Sequence, residues 1–193
     1  EPKVIADLAQ SAKEKLIAAY KIVPYPKQIP SREAGEKLYA ENCAQCHGAT
    51  GKGDGPGIAS MNPKSPPPAN FTDPERMAGL SPFKAFNTAS FGVEGTAMAS
   101  FAAFSEEQRW QVAFYVMSLR FTPEEVARGA ALPRERKLPA DLTSVANLAT
   151  HSDEELTDEL KKYFSDEAQA RDVLAYLRRG MLVSDLSYRA HAG

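Results

Sequence analysis

The sequence predicts an all-α fold. Several segments of the 193-residue chain carry apolar residues at helical spacings of three and four, and Pro- or Gly-rich stretches separate these segments. No segment shows a convincing strand pattern and no internal repeat is visible. Hydrophobic residues make up 43% of the chain and charged residues 25%, which favours a soluble globular protein of one domain, with or without a smaller companion.

Residues 1–30 are predicted to form an N-terminal helix and a linker. The apolar positions of residues 3–20 fall on one helical stripe, which comprises Val4, Ile5, Leu8, Ala12, Leu16 and Tyr20. The segment that follows contains three prolines, which favour extended backbone and end the helix. We therefore expect a linker over residues 23–30 and a new unit after it.

Residues 31–120 are predicted to form the central unit. Ser31 is a suitable N-cap for a first helix, and Ser105 is a suitable N-cap for a last helix from Glu106 to Arg120. Between them lies a connection rich in Gly and Pro that is far longer than the usual four to six residues. Such a connection needs something to pack on, and a bound prosthetic group would serve.

Residues 121–193 are predicted to form a helical extension. Thr122, Pro123 and Glu125 give a capping signature for a short helix, after which Pro133 and Pro139 are expected to interrupt the chain. Two further helices are predicted, with the N-caps Ser152 and Ser165, and Gly180 suits the end of the second.

The strongest chemical signal is the run Cys43-Ala44-Gln45-Cys46-His47. Two thiols three positions apart on a helical turn can each add to one vinyl group of a haem, and the next residue, His47, is then placed to bind the iron. A thioredoxin-like redox pair or half of a zinc site are the alternatives. The chain has only two cysteines and no βαβ pattern near them, which favours the haem.

With this motif, residues 31–120 resemble the class I cytochrome c family. That family pairs a glycine and an aromatic residue on its first helix with aromatic and aliphatic residues on its last. Gly35 and Tyr39 match the first pair, and the second is matched by Val112, Tyr115 and Val116. The resemblance implies a class I cytochrome c fold, one covalently attached haem c, and transfer of single electrons rather than enzymatic catalysis.

The resemblance also implies a methionine as the second axial ligand. Met98 is the preferred candidate because its segment, GTAMASF, resembles the family's glycine, threonine, any residue, methionine, proline loop, with Ala99 in place of the proline. Histidine and thioether ligation would favour the ferrous state and suit a carrier. Other candidate ligands are Met61, Met77, Met117, Met181, His151 and His191.

Other residues are predicted to complete the haem pocket. In the family, a proline carbonyl orients the proximal histidine, and Pro66, Pro67 or Pro68 would occupy that place. Trp110 is a candidate donor to a haem propionate, with core packing as the equal alternative. Candidate walls of the pocket, each with ordinary core packing as the equal alternative, are Phe71, Phe83, Phe86, Phe91, Phe101 and Phe104. Lys52 and Lys64 are candidate contacts for an acidic redox partner, although solvated surface lysines are the commoner case.

The flanking segments suggest a narrower resemblance. The segment from Val23 to Gly48, the GTAMASF loop and the motifs DEELTDELKKYF and DVLAYLRRG look like the periplasmic cytochrome portion of bacterial iron permeases. This resemblance implies a redox module of iron uptake, with a membrane permease moiety and redox proteins as partners. A haem enzyme subunit, such as a ferrous oxidase or a peroxidase-like protein, and a haem-stabilised interaction module are the alternatives.

Charge and hydropathy limit the partners and the location. The net charge of −2 makes a nucleic-acid partner unexpected. No stretch approaches the roughly 20 apolar residues of a membrane-spanning helix, so no direct membrane insertion of this chain is predicted. Haem is attached covalently outside the cytoplasm, so a periplasmic location is expected, with the export signal removed or not included.

Overall fold

The computed structural model describes residues 2–62, 65–135 and 138–182, and this part of the chain is helical without strands. The all-α prediction is therefore confirmed. The α-helices are α1 (Pro2–Ala19), α2 (Arg32–Asn42), α3 (Ala44–His47), α4 (Pro74–Ala78), α5 (Pro82–Phe91), α6 (Glu106–Ser118), α7 (Pro123–Glu135), α8 (Val145–Thr150), α9 (Asp153–Leu160) and α10 (Glu167–Arg178). Short 3-10 turns cover Pro56–Ser60 and Gly180–Leu182.

Most of the predicted helix starts are the observed ones. Ser31 Oγ accepts a hydrogen bond from the Ala34 amide, and Ser105 and Ser152 each form a reciprocal capping box. Three expectations were wrong. Two helices were expected after α7, but the described residues there form three, because Ser144 also caps the short helix α8. Asp166, not Ser165, caps α10, because its carboxylate accepts from the Ala168 amide. Helix α7 also continues through Pro133, whose place in the last turn costs the helix only one ladder hydrogen bond.

Helices α2 and α6 cross at close range, as the paired motifs predicted. A Cβ atom at Gly35 would overlap the carbonyl oxygen of Gln111 and lie 2.9 Å from Tyr115 Cβ. Tyr39 fills the crossing beside Val112 and Val116, and all three side chains are buried. Since only a glycine allows this approach, the crossing fixes the direction in which α2 leads into the Cys43 segment.

The second face of α6 belongs to a larger core, which the sequence did not reveal. Trp110, Ala113 and Phe114 point away from α2 and pack into this core. The buried residues from beyond position 120 that join them are Phe121, Leu142, Leu148, Ala149, Leu156, Leu160, Phe164, Ala170, Val173, Leu174, Ala175 and Leu177. Helix α6 therefore lies between two cores, and the C-terminal helices bury its outer face.

A cluster of buried charged residues also connects α6 to the C-terminal helices. Asp153 Oδ2 accepts from Nε and Nη2 of Arg120, just after α6, and Asp153 Oδ1 accepts from Arg178 Nε at 2.6 Å. The Arg178 guanidinium also donates to the carbonyl oxygens of Leu148 and His151. Asp153 and Arg178 are 1% and 2% exposed, so these charges are compensated by one another rather than by water.

Helices α7 and α10 form a second glycine crossing, at Gly129. A Cβ atom at this position would overlap the backbone carbonyl of Asp172 on α10, whereas a Cβ at Gly79 would meet no atom within 4 Å. We expect Gly129→Ala to lower the free energy of unfolding by about 1–3 kcal/mol, because the two helices must separate. The control Gly79→Ala should change it by less than about 0.5 kcal/mol. Urea unfolding followed by circular dichroism measures both, and equal effects would contradict the close crossing.

Helix α1 is present as predicted, but its apolar stripe does not pack on the body. Val4, Ile5, Leu8, Leu16 and Tyr20 are between 52% and 74% exposed. The linker after α1 makes closer contact, since Pro30 is buried and Ile29 packs against the larger core. Of the helices in the three described ranges, none has the length and apolar character to cross a membrane.

Candidate functional site

The cysteine motif lies on one tight turn where α2 passes into α3. Cys43 is the last residue of the α2 turn, and its amide donates to the Tyr39 carbonyl at 2.8 Å. The amides of Cys46 and His47 both donate to the Cys43 carbonyl, at 3.1 and 2.9 Å. Gly48 then ends the turn with a φ of 78°, a conformation that glycine adopts without strain. The local hydrogen bonds thus place both thiols and the imidazole side by side.

These three side chains open into a cavity of about 430 Å³, and Met98 lines the same cavity. The sequence separates Met98 from the motif by 51 positions, and the structure brings the four predicted site residues together. Most of the lining is apolar, and it includes Tyr39, Ala69, Phe71, Ala85, Ala89, Val93, Phe101, Phe104, Val112, Ala113 and Val116.

The His47 ring is oriented by a backbone carbonyl and an aromatic neighbour. His47 Nδ1 donates to the Ala69 carbonyl at 3.1 Å, and the ring stacks on Phe71 with centroids 4.6 Å apart. This bond fixes the tautomer and leaves Nε2 without a proton, as a metal ligand requires. Burial lowers the pKa of His47, and nearby Arg76 adds to this effect while the Ala69 bond opposes it; the net shift favours the neutral ring.

The two cysteines are not joined in a disulfide. Burial, followed by the neighbouring Cys46, raises the pKa of the Cys43 thiol to about 11. Redox-active CxxC pairs show the opposite, because a positive neighbour or a helix N-terminus lowers the pKa of their nucleophilic thiol. Cys43 thus has the environment of a protonated thiol at an apolar wall, which does not fit a thioredoxin-like pair.

The Met98 segment is held by hydrogen bonds on both sides of the methionine. The Met98 amide donates to Thr96 Oγ1 at 3.1 Å, and its carbonyl accepts from the Val93 amide at 3.0 Å. The preceding amide, of Ala97, donates to Ser65 Oγ at 3.2 Å. This last bond connects the segment to the Pro-rich loop, which also lines the cavity.

Residues 32–120, which include all of these groups, match the protein family described as Cytochrome c. We call this segment the cytochrome c domain, after the family that it matches. The family implies covalently bound haem c, and the spacing of Cys43 and Cys46 fits its attachment motif. The lining also fits such a group, since thiols, an oriented imidazole and a thioether border one apolar cavity.

No curated protein sequence matches the chain significantly. Among solved structures, a chain of a reducing HAO-like protein complex from Kuenenia stuttgartiensis is similar. It has 20% sequence identity and a TM-score of 0.39, and the alignment covers 83% of this chain and 99% of that one. A similarity of this strength says nothing about the function of the cytochrome c domain.

The family's proline carbonyl is replaced in this cytochrome c domain. Pro66, Pro67 and Pro68 line the cavity, but the carbonyl that reaches His47 belongs to the next residue, Ala69. The prediction of a proline carbonyl was therefore wrong by one residue. No sequence signal separates these neighbouring positions, because every residue in the loop offers a carbonyl.

The aromatic residues divide between the cavity and the larger core. Phe71, Phe101 and Phe104 line the cavity of the cytochrome c domain as predicted. The other three do not line it, and for Phe83 and Phe86 the alternative of core packing holds. Phe83 and Phe86 instead stack on Trp110, with Phe86 and Trp110 centroids 4.2 Å apart, and Phe91 is 79% exposed. Trp110 itself is buried in the larger core, which is the packing alternative.

The other candidate axial ligands differ in whether they line the cavity. Met61 lines the cavity together with Met98 and remains an alternative, whereas Met77 and Met117 are buried. Met181 packs against the larger core, and His151 Nδ1 lies 3.1 Å from the Asn147 carbonyl. His191 and Lys64 lie outside the described residues.

Two arginines of the cytochrome c domain that the sequence did not single out border the cavity. Arg76 lies on α4, and Arg109 lies on α6 with its guanidinium 5.0 Å from the Phe86 ring. Arg109 Nη1 donates to Ser90 Oγ at 2.8 Å, while its Nε is buried without a hydrogen-bond partner among the described residues. A partly buried cation beside an apolar cavity favours negative groups there.

Proposed function

We propose that residues 31–120 carry a single haem c and transfer single electrons, with thioether links at Cys43 and Cys46 and with His47 and Met98 as axial ligands. The observation that supports this most strongly is the meeting of all four side chains at one apolar cavity. When bound, the haem supplies a reversible one-electron couple.

Cys43, Cys46 and His47 are positioned for haem attachment and iron binding on the His47 side of the cavity. Cys43 and Cys46 lie three positions apart on one turn, and both line the cavity. The bond from His47 Nδ1 to Ala69 directs Nε2 toward the cavity and raises its basicity, and Phe71 limits rotation of the ring.

The distal side is suited to a carrier. A neutral thioether at Met98 would favour ferrous iron, and the apolar lining would limit the access of water to the haem. If His47 and Met98 both bind the iron, no position would be left for a substrate. This separates the proposed carrier from a haem enzyme, which needs an open or displaceable sixth position.

The role of Met98 can be tested by spectroscopy and carbon monoxide binding. We expect a methionine-to-iron charge-transfer band in the oxidised protein, a reversible one-electron titration, and no carbon monoxide binding at neutral pH. Met98→Ala should abolish the band and allow carbon monoxide to bind the ferrous protein. Met61→Ala is the matched control, since Met61 lines the same cavity, and it should retain the band.

The same experiment separates the alternatives. Loss of the band in Met61→Ala but not in Met98→Ala would transfer the ligand role to Met61. Carbon monoxide binding by the unmodified protein would favour a haem enzyme, such as a ferrous oxidase or peroxidase-like subunit.

We propose the remaining organisation on the resemblance alone: an N-terminal unit of residues 1–30, a helical extension of residues 121–193, a periplasmic location, and redox proteins and a membrane iron permease as partners. Three acidic residues at the starts of α7 and α9 have structural roles. Asp153 is held by two arginines, and Glu155 and Glu125 cap helix starts. Electron transfer is thus the best supported part of the proposal, and a permease encoded next to this segment would test the rest.

A further inference from the structure

The segment that carries Met98 acts as a cap for the C-terminus of α5. The last carbonyls of a helix have no partner within it. In α5, the Ala89 carbonyl accepts from the Phe101 amide at 2.8 Å, and the Ser90 carbonyl accepts from Ser100 Oγ at 2.7 Å. Two donors that follow Met98 by two and three positions therefore satisfy carbonyls that would otherwise lack partners.

Ser90, at the end of α5, is buried and its side chain is held by two hydrogen bonds. Ser90 is 2% exposed, and its hydroxyl donates to the Phe86 carbonyl at 2.7 Å while it accepts from Arg109 Nη1 at 2.8 Å. Arg109 comes from α6 and lies over the Phe86 ring. The Ser90 side chain at the end of α5 is thus held by Arg109 of α6. The Ser90 carbonyl in turn accepts the hydrogen bond from Ser100, which connects the Met98 segment to this end of α5.

The chain also approaches closely on the other side of the segment. Gly92 has a φ of 69°, and a Cβ atom there would lie 2.9 Å from both the Ala99 carbonyl carbon and the Ser100 nitrogen. The Val93 amide then donates to the Met98 carbonyl. The backbone from Met98 to Phe101 is therefore confined between the α5 end and the turn that follows it.

Ala99 stands where the resembled family has a proline, so the segment lacks the ring that would stiffen its backbone. We propose that Ser100, anchored through Ser90 and Arg109, is the positioning residue that holds Met98 at the cavity in this chain. This inference rests on the proposed ligand role of Met98. The hydrogen bond from the Ser100 hydroxyl to the Ser90 carbonyl would restrain the backbone beside Met98, as a proline at position 99 would.

Imidazole binding to the oxidised holoprotein tests this proposal. Free imidazole competes with Met98 for the iron, and its apparent affinity increases with the fraction of molecules in which the methionine has moved away. Loss of one hydrogen bond should raise this fraction, so Ser100→Ala should bind imidazole about 3- to 10-fold more tightly than the unmodified protein.

Ser118→Ala is the matched control. Ser118 is a buried serine whose hydroxyl donates to the Tyr115 carbonyl at 2.7 Å within the last turns of α6, and it does not line the cavity. Its replacement should lower the urea midpoint without changing imidazole affinity by more than about twofold. A serine with a structural role alone would behave in this way, so the two readouts separate positioning from stability.

The outcomes distinguish the two proposals. Absence of the methionine-to-iron band in the unmodified protein would overturn the ligand role of Met98 and this inference with it. If the band is present but Ser100→Ala binds imidazole no more tightly than Ser118→Ala, the positioning role alone is overturned. Tighter binding confined to Ser100→Ala supports it.

Discussion

Replacing Asp153 with asparagine should lower the free energy of unfolding by about 3–5 kcal/mol, the cost of leaving buried charges without their partner. Arg120 and Arg178 share this one carboxylate, and the side chains of all three residues are at most 6% exposed. The asparagine keeps the shape but removes the negative charge. Two guanidinium groups would then remain in the protein interior facing a neutral amide.

Asp158→Asn is the control for this prediction, because Asp158 lies on the same helix and pairs with Lys161 at the surface. An exposed pair of this kind contributes about 0–1 kcal/mol. Urea unfolding followed by circular dichroism gives both values. If the two variants lose similar amounts of stability, the buried cluster does not join α6 to the C-terminal helices as argued above.

The second large effect concerns attachment of the haem. When the protein is produced with a haem-attachment system, Cys43→Ser with Cys46→Ser should remove all covalently bound haem, since a serine hydroxyl does not replace the thiol that adds to a vinyl group. In that addition, sulfur bonds to one vinyl carbon and the thiol hydrogen is transferred to the other. Haem staining after denaturing electrophoresis measures the result.

His47→Ala provides a contrasting variant, because it retains both thiols and removes the proximal nitrogen. It should keep some covalent haem while losing the absorption spectrum of the doubly ligated protein. Haem staining that persists in the double serine variant would disprove attachment at these cysteines.

The local signals in the sequence were sufficient for the starts of α6 and α9 and for the cysteine motif. Ser105 and Ser152 begin helices as predicted, because a capping box is formed by residues three positions apart and needs no distant partner. Gly35 and Tyr39 could be matched with α6 only through the resemblance to a family. Helical spacing alone marks a packed face without saying which helix covers it.

The sequence could not predict which aromatic residues line the cavity and which pack in the larger core, for a related reason. Phe71 and Phe86 are equally apolar, yet one stacks on His47 and the other on Trp110. Which core receives a side chain depends on how the helices cross, and close crossings such as that at Gly129 are visible only when both partners are in place.

The sequence by itself determined the Cys43, Cys46 and His47 turn, because these groups act within one helical turn whose geometry is local. It also indicated Met98 through the residues around it. Only the tertiary structure brought Met98 to the same cavity, assigned the carbonyl of Ala69 to His47, and placed Ser100 against the end of α5. These contacts join residues far apart in the chain, and their formation depends on the packing of whole helices rather than on the preferences of any single segment.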